Sequence, residues 1–372
     1  MAWNNLIGLE KEKKIFQKVI LEEKLADAYC FLGLEGIGKD AFALELAKTA
    51  NCYNPIISGE TISACDNCKS CQMANNMTHR NIQLVFAQPA ADKLTEKQIE
   101  EIRDQMAQKI EDPYHRISIA NARYISINSI RNIKKKLAFS ETSGRQFIII
   151  SNGEDMNIEA ANAFLKTLEE PRKNTTIIIT SSHREKLLQT ILSRCQQVYF
   201  SSLELNDIQN YLEKKYKKNN NEARLIAAMS QGSITRALDY LDDDMNSLRN
   251  FSVDLLRIAL RRKNYRMELI EAIEQILGEK DKQLNVLFLN IFAIWLKDVY
   301  SVLVLRNTSN VVNIDLLDRT IKFSNGFQEA NYLEAFNLIE KTIARLNQNV
   351  DPTLAYLSLF IELRKIFTGL TY

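Results

Sequence analysis

Cys30-Phe31-Leu32 runs into Gly33-Leu34-Glu35-Gly36-Ile37-Gly38-Lys39-Asp40, and Ala41–Thr49 follows with helix-forming residues. An apolar run, a glycine-rich turn and a lysine at a helix mouth prescribe a strand–loop–helix unit. Glycines let successive backbone N–H groups curl around an anion, and the helix N-terminus adds partial positive charge. Lys39 is placed to reach the β and γ phosphates of a nucleotide. Gly33, Gly36, Gly38 and Lys39 are therefore the candidate nucleotide-binding residues. The sequence leaves open whether ATP or ADP binds at all, because the next position is anomalous. A working loop has Ser or Thr there to bind Mg²⁺; this chain has Asp40, whose carboxylate repels phosphate unless it is protonated or turned away.

A hydrolase of this kind also needs an Asp at a strand end for Mg²⁺ and an acid beside it to activate water. The strand Phe147–Ile150 instead ends in Ser151-Asn152-Gly153, and neither Ser nor Asn is a general base near neutral pH. Glu154 and Asp155 follow two or three residues late. Asp40, Ser151 and Asn152 together predict a degenerate site with negligible turnover.

From 1 to about 201 short apolar runs alternate with helical patterns. Strands are expected at Tyr29–Leu32, Leu84–Phe86, Tyr124–Ile127, Phe147–Ile150, Thr176–Thr180 and Val198–Phe200. Nearly continuous apolar runs suit a parallel sheet covered on both faces. Ala161, Phe164, Leu165 and Leu168 recur at helical spacing until Pro171 stops them. This pattern predicts a doubly wound α/β domain. After Ser202 the strand signals vanish. Leu203–Lys218 and Glu222–Leu241 read as a small helical lid with a turn at Gly232-Ser233, and 246–372 as an all-helical C-terminal domain. Three domains, 1–201, 202–245 and 246–372, are expected. The lysine runs Lys134–Lys136 and Lys214–Lys218 read first as solvated helix faces.

Lys+Arg 48 against Asp+Glu 46 leaves +2, so global charge does not demand a nucleic-acid partner. The most apolar window, Val286–Leu305, contains Lys297 and Asp298, two charges costly in lipid, and reads as a buried helix. No secretory signal is visible, and a cytoplasmic protein is expected. In a reducing compartment, Cys52-x12-Cys65-x2-Cys68-x2-Cys71 suggests metal rather than disulfides. Four thiolates suit a closed tetrahedral, structural Zn²⁺ site. Cys30 and Cys195 read as buried small residues.

The order of these features resembles bacterial clamp-loader subunits of the AAA+ class. The resemblance rests on the phosphate loop, the four-cysteine insertion after its helix, Asn162-Ala163-Phe164-Leu165-Lys166-Thr167-Leu168-Glu169-Glu170-Pro171, and Ile191-Leu192-Ser193-Arg194-Cys195. It covers about the first 245 residues; the later helices match only in length and character. The gap between Cys52 and the last three cysteines is longer than is usual there. The resemblance implies an α/β phosphate-loop domain, a lid and a helical collar joining a pentameric ring that loads the sliding clamp onto primed DNA. It implies gamma/tau motor and delta subunits as partners within a DNA polymerase III holoenzyme, the polymerising activity residing elsewhere. Arg194, flanked by Ser193 and Cys195, would reach in trans to the γ-phosphate held by a neighbouring motor subunit. Motor-type subunits keep the loop hydroxyl, the acidic strand end and a lid arginine. This chain departs at all three, with Asp40, Ser151-Asn152 and Thr235, Arg236 coming one place late, which is similar to the delta-prime type. The alternatives are an active motor-type ATPase using shifted residues, and a zinc-dependent nucleic-acid-binding module with a relic phosphate loop.

Overall fold

The apolar runs of the first half hydrogen-bond into one parallel sheet. The computed structural model describes residues 3, 6–89, 94–120, 122, 124–131, 133, 144–241, 245–277, 282–305, 308, 311–348 and 350–369. Its strands are β1 (Ala28–Leu32), β2 (Ile56–Ser58), β3 (Thr61–Ser63), β4 (Ile82–Val85), β5 (Gln146–Ile150), β6 (Thr175–Ser181) and β7 (Gln196–Tyr199). Five of them form a sheet in the order β4-β5-β6-β1-β7, with β2 and β3 making a separate pair. All neighbours in the large sheet are parallel, with Ile148 opposite Ile177 and Cys30 opposite Ile179. The central strands β1 and β6 are buried at every position, which is why they read as unbroken apolar runs.

Helices α1 (Glu10–Leu21), α2 (Lys39–Ala50), α3 (Lys69–Asn75), α4 (Glu96–Glu111), α5 (Ile158–Glu169) and α6 (Gln189–Leu192) accompany these strands. On α5 the predicted face is the one buried: Ala161, Phe164 and Leu168 pack with Ile148, Ile150, Ile177 and Ile179. The expected α/β parallel-sheet domain followed by a helical region is what forms. One expected strand does not. Tyr124–Ile127 makes only an isolated bridge, Ile125 to Met156. Ser126 Oγ accepts from the Ser129 N–H and starts a helical turn at Ile127, so local capping takes the segment out of the sheet.

Contacts divide the chain into two compact units, Met1–Asp207 with Gly232–Leu238, and Ile208–Gln231 with Asp239–Tyr372. The range 202–245 is thus shared between the two. The helices after Ser202 are α7 (Leu205–Tyr216), α8 (Asn220–Met229), α9 (Ile234–Asp239), α10 (Met245–Ala259), α11 (Tyr265–Leu277), α12 (Lys282–Leu305), α13 (Leu317–Gly326), α14 (Tyr332–Asn347) and α15 (Pro352–Thr368).

The second unit packs around α12. Phe288 meets Tyr356 and Phe292 meets Phe360 of α15, while Trp295 packs against Phe323 of α13. Leu284–Val304 is long and apolar enough to cross a membrane, yet it is the central core helix of this unit. Its two charges separate: Lys297 faces solvent, while buried Asp298 accepts from the backbone N–H groups of Val312 and Asn313 and from Asn313 Nδ2. Lys214–Lys218 behaves as a solvated helix end. Lys215 lies against Tyr211 and Tyr216, and Lys218 pairs with Glu222 at 2.6 Å. Lys134–Lys136 lie outside the described residues.

Candidate functional site

The phosphate loop joins β1 to α2 in the first unit. Gly36 has φ 78° and Gly38, at the helix N-cap, φ 92°, backbone that side chains rarely adopt. Space forbids a side chain as well. A Cβ on Gly36 would lie 2.2 Å from Ser233 Oγ, and one on Gly38 would lie 2.6 Å from the Tyr114 ring. The loop is therefore covered by Tyr114, Ser233 and Thr235 of its own unit. The Thr235 N–H also donates to the Gly36 carbonyl at 3.2 Å. Thr235 lines the cavity beside the loop, and Arg236 is not among its lining residues.

Lys39 is buried, and its ammonium is engaged by the loop itself. It donates to the carbonyls of Gly33 (3.0 Å) and Leu34 (2.8 Å) and to Ser182 Oγ (3.1 Å). Burial holds its pKa below the usual lysine range, while Asp40, Glu154 and Glu35 pull the other way. The cavity is about 60 Å³, bounded by Lys39, Asp40, Lys109, Tyr114, Ser151 and Thr180 among others. Lys109 adds a second buried amine, donating to the His115 carbonyl at 2.7 Å and held low by burial.

Asp40 lines the same cavity, with its carboxylate taken up by neighbouring hydroxyls. Its carboxylate accepts from Ser151 Oγ at 2.5 Å and from Thr180 Oγ1 at 2.6 Å. Hydroxyl and carboxylate have exchanged places relative to a working site: the acid stands after the lysine and the hydroxyl at the strand end. Asn152 sits in the left-handed region at φ 52° and donates its N–H to Thr180 Oγ1. Of the late acids, Glu154 accepts from the Ser182 N–H at 2.9 Å, and burial, then Glu154 beside it, raise Asp155. Neither lines the cavity. Thr180, Ser182, Lys109 and Tyr114 were missed in the sequence. Thr180 closes a predicted strand and could have been found. Tyr114 reaches the loop only through the fold.

The cysteine cluster assembles in the same unit. Hairpin β2–β3 fills the gap after Cys52, turning at Gly59 with φ 59°, and brings Cys52 and Cys65 to 3.5 Å. The Cys52 to Cys71 distance is 3.5 Å, Cys52 to Cys68 3.9 Å and Cys65 to Cys71 4.0 Å. Four thiolates about 2.3 Å from one Zn²⁺ at tetrahedral angles lie roughly 3.8 Å apart. The observed edges straddle that value, and all four sulfurs lie within 4.8 Å of one another. The set fits zinc and leaves no ligand position for chemistry. Although burial opposes it, N–H groups of Cys71 and Tyr53 and neighbouring thiols draw Cys68 down to about 6. His79 is no competitor: its ring bonds Ser70 Oγ and the Asn81 N–H. Behind the cluster, buried Lys48 of α2 bonds Asp66 Oδ1 (2.7 Å), Asn75 Oδ1 (2.9 Å) and Glu45 Oε1 (2.7 Å).

Arg194 lies in the turn between α6 and β7. Its Nε and Nη2 donate to Glu169 Oε1 at 2.9 and 2.5 Å, and Nη1 to the Thr190 carbonyl at 2.9 Å. Ser193 is exposed and accepts a longer contact of 3.4 Å from Arg194 Nη1. Cys195 and Cys30 pack in the core around the sheet, and burial pushes both thiols up to about 12.

A family model described as DNA polymerase III, delta subunit, matches residues 8–204. The DNA polymerase III subunit delta' of Bacillus subtilis is 26% identical over 270 residues, 71% of this chain and 69% of that protein. The subunit delta' of Haemophilus influenzae is 33% identical over 147 residues, 38% of this chain and 45% of that protein. The subunit gamma/tau of Mycoplasma genitalium is 26% identical across 97% of this chain, which spans 56% of that protein. With just over half of its length matched by the family model, the chain belongs to the DNA polymerase III delta-subunit family, a group of bacterial clamp-loader subunits.

Proposed function

We propose that this chain is the non-hydrolysing, delta-prime-type subunit of a replicative clamp loader, supporting ATP-dependent loading of the sliding clamp onto primed DNA. The exchange at Asp40 and Ser151 carries this reading. Mg²⁺ at a working site is held by the loop hydroxyl and the strand-end carboxylate together. Here the two groups are bonded to each other with positions reversed, and Asn152 offers no base beside them. Lys39 is spent on loop carbonyls, and Tyr114 lies against the glycine where phosphate would rest.

In the same reading Arg194 serves a neighbouring motor subunit's ATP. A guanidinium spreads charge over planar donors suited to a phosphoryl transition state. The four cysteines hold one structural Zn²⁺, which would fix the β2–β3 hairpin and α3 as a rigid knuckle on α2. Residues 202–245 would act as the lid and 246–372 as the collar of a pentameric ring with motor and delta subunits.

The test is reconstitution with motor and delta subunits, clamp and primed DNA. The isolated chain is expected to turn over no ATP. Arg194→Ala is expected to abolish clamp loading with the ring intact, because an arginine in trans is worth on the order of 10³ or more at the site it completes. Turnover by the isolated chain would overturn the non-hydrolysing reading; unchanged loading would remove the arginine donor.

A further inference from the structure

Arg194 does not extend freely from its turn. Glu169, the last residue of α5, takes two of its nitrogens on one carboxylate oxygen, while the Thr190 carbonyl takes a third. A guanidinium carries five N–H donors in one plane. Nε is consumed by Glu169, Nη1 by the Thr190 carbonyl and, at 3.4 Å, by Ser193 Oγ, and one N–H of Nη2 remains unused by these four contacts. The carboxylate and carbonyl therefore fix the plane of the group without exhausting it. Glu169 also stands where the helix dipole disfavours an anion, at a C-terminus. Arg194 offsets that cost, and a residue serving α5 alone would do better as a cation or neutral group.

We infer that Glu169 is a positioning residue for Arg194: it sets the rotamer and the plane in which the guanidinium is presented to an anion on a neighbouring chain. The inference rests on the reading of Arg194 as a donor in trans. Misplacing a catalytic group by about 1 Å costs on the order of 10²-fold. An exposed carboxylate that narrows an arginine's range, without being its sole restraint, accounts for a smaller factor.

The experiment uses the complete reconstituted loader and measures clamp loading at saturating ATP, together with the ATP concentration giving half-maximal rate. Glu169→Ala is expected to slow loading about tenfold with that concentration nearly unchanged, the pattern of a lost transition-state interaction. Glu169→Gln keeps an acceptor oxygen and is expected to recover most of the rate. In an Arg194→Ala background, Glu169→Ala is expected to add nothing. Ring assembly is followed by gel filtration and the fold by thermal unfolding. A wild-type or faster rate for Glu169→Ala beside a crippled Arg194→Ala overturns the inference and leaves the donor reading standing. An equal loss in both backgrounds assigns Glu169 to the stability of α5, and no rescue by Gln shows that an acceptor oxygen at this position does not restore Arg194; either result also overturns it. A normal Arg194→Ala loader overturns both.

Discussion

Replacing Asp40 with Ala separates two views of this residue. If Asp40 is only a lost metal ligand, its carboxylate is a burden at the phosphate loop and removal is neutral or stabilising. The geometry says otherwise. Two hydroxyls converge on it, Ser151 at 2.5 Å and Thr180 at 2.6 Å, tying α2 to the ends of β5 and β6. Hydrogen bonds to a charged group contribute about 1.5–3 kcal/mol each, giving about 3–6 kcal/mol for the pair. Asp40 is half-buried, so water reaches the vacated hydroxyls and the net loss shrinks to about 2–3 kcal/mol. Its place in the first turn of α2 adds a few tenths more. For a unit of this size, about 2–4 °C per kcal/mol puts the fall in melting temperature near 5–10 °C. The assay is thermal unfolding of Asp40→Ala, Ser151→Ala and the double variant. A coupling of about 1–2 kcal/mol between the two sites is expected. Additive single effects, or an Asp40→Ala protein as stable as wild type, would refute the view that the exchanged pair is a structural clasp. Neither variant is expected to gain ATP turnover, because Asn152 and the tethered Lys39 are untouched.

Two further outcomes follow from the same unit. One equivalent of zinc per chain should be released by a chelator once thiols are modified, and Cys52→Ser should purify without it. Hydrogen exchange should then quicken across 52–71, since metal and fold are linked there. Stability should also decline in mild acid. Burial lowers the folded pKa of His79, and burial with Lys109 lowers that of His115. Groups depressed in this way contribute stability above their unfolded pKa near 6.5 and lose it as pH falls through the folded value. The urea midpoint should drop between about pH 7 and 5, and less so in His79→Gln/His115→Gln.

The strands were legible where both faces are covered, because burial on two sides leaves no polar alternation to misread. Phe147–Ile150 and Thr176–Thr180 are of this kind, each lying within the strand that forms. Legibility failed where a local hydrogen bond competes with the ladder. Tyr124–Ile127 has the side chains of a strand, but Ser126 captures the Ser129 N–H and the segment makes a single bridge, to Met156 outside the sheet. The hairpin between Cys52 and Cys65 was within reach, since Ile56-Ile57-Ser58 and Thr61-Ile62-Ser63 flank a two-residue Gly59-Glu60 turn. Attention to thiol spacing hid the element that makes the spacing work.

The phosphate loop poses a harder case. Its residues were all visible, yet sequence order holds no record of what covers them. Tyr114 comes from the segment after α4, and Thr235 from a helix more than a hundred residues further on. A glycine in a phosphate loop is ordinarily read as room for an anion. Here the same absence of a side chain makes room for a tyrosine ring, and only the distance from Gly38 to Tyr114 separates the two uses. A Tyr114→Ala chain with Asp40→Ser and Ser151→Asp would therefore be the fair trial of whether the loop still accepts nucleotide. Each change alone leaves another obstacle standing, either the ring over the loop or the reversed pair beside it.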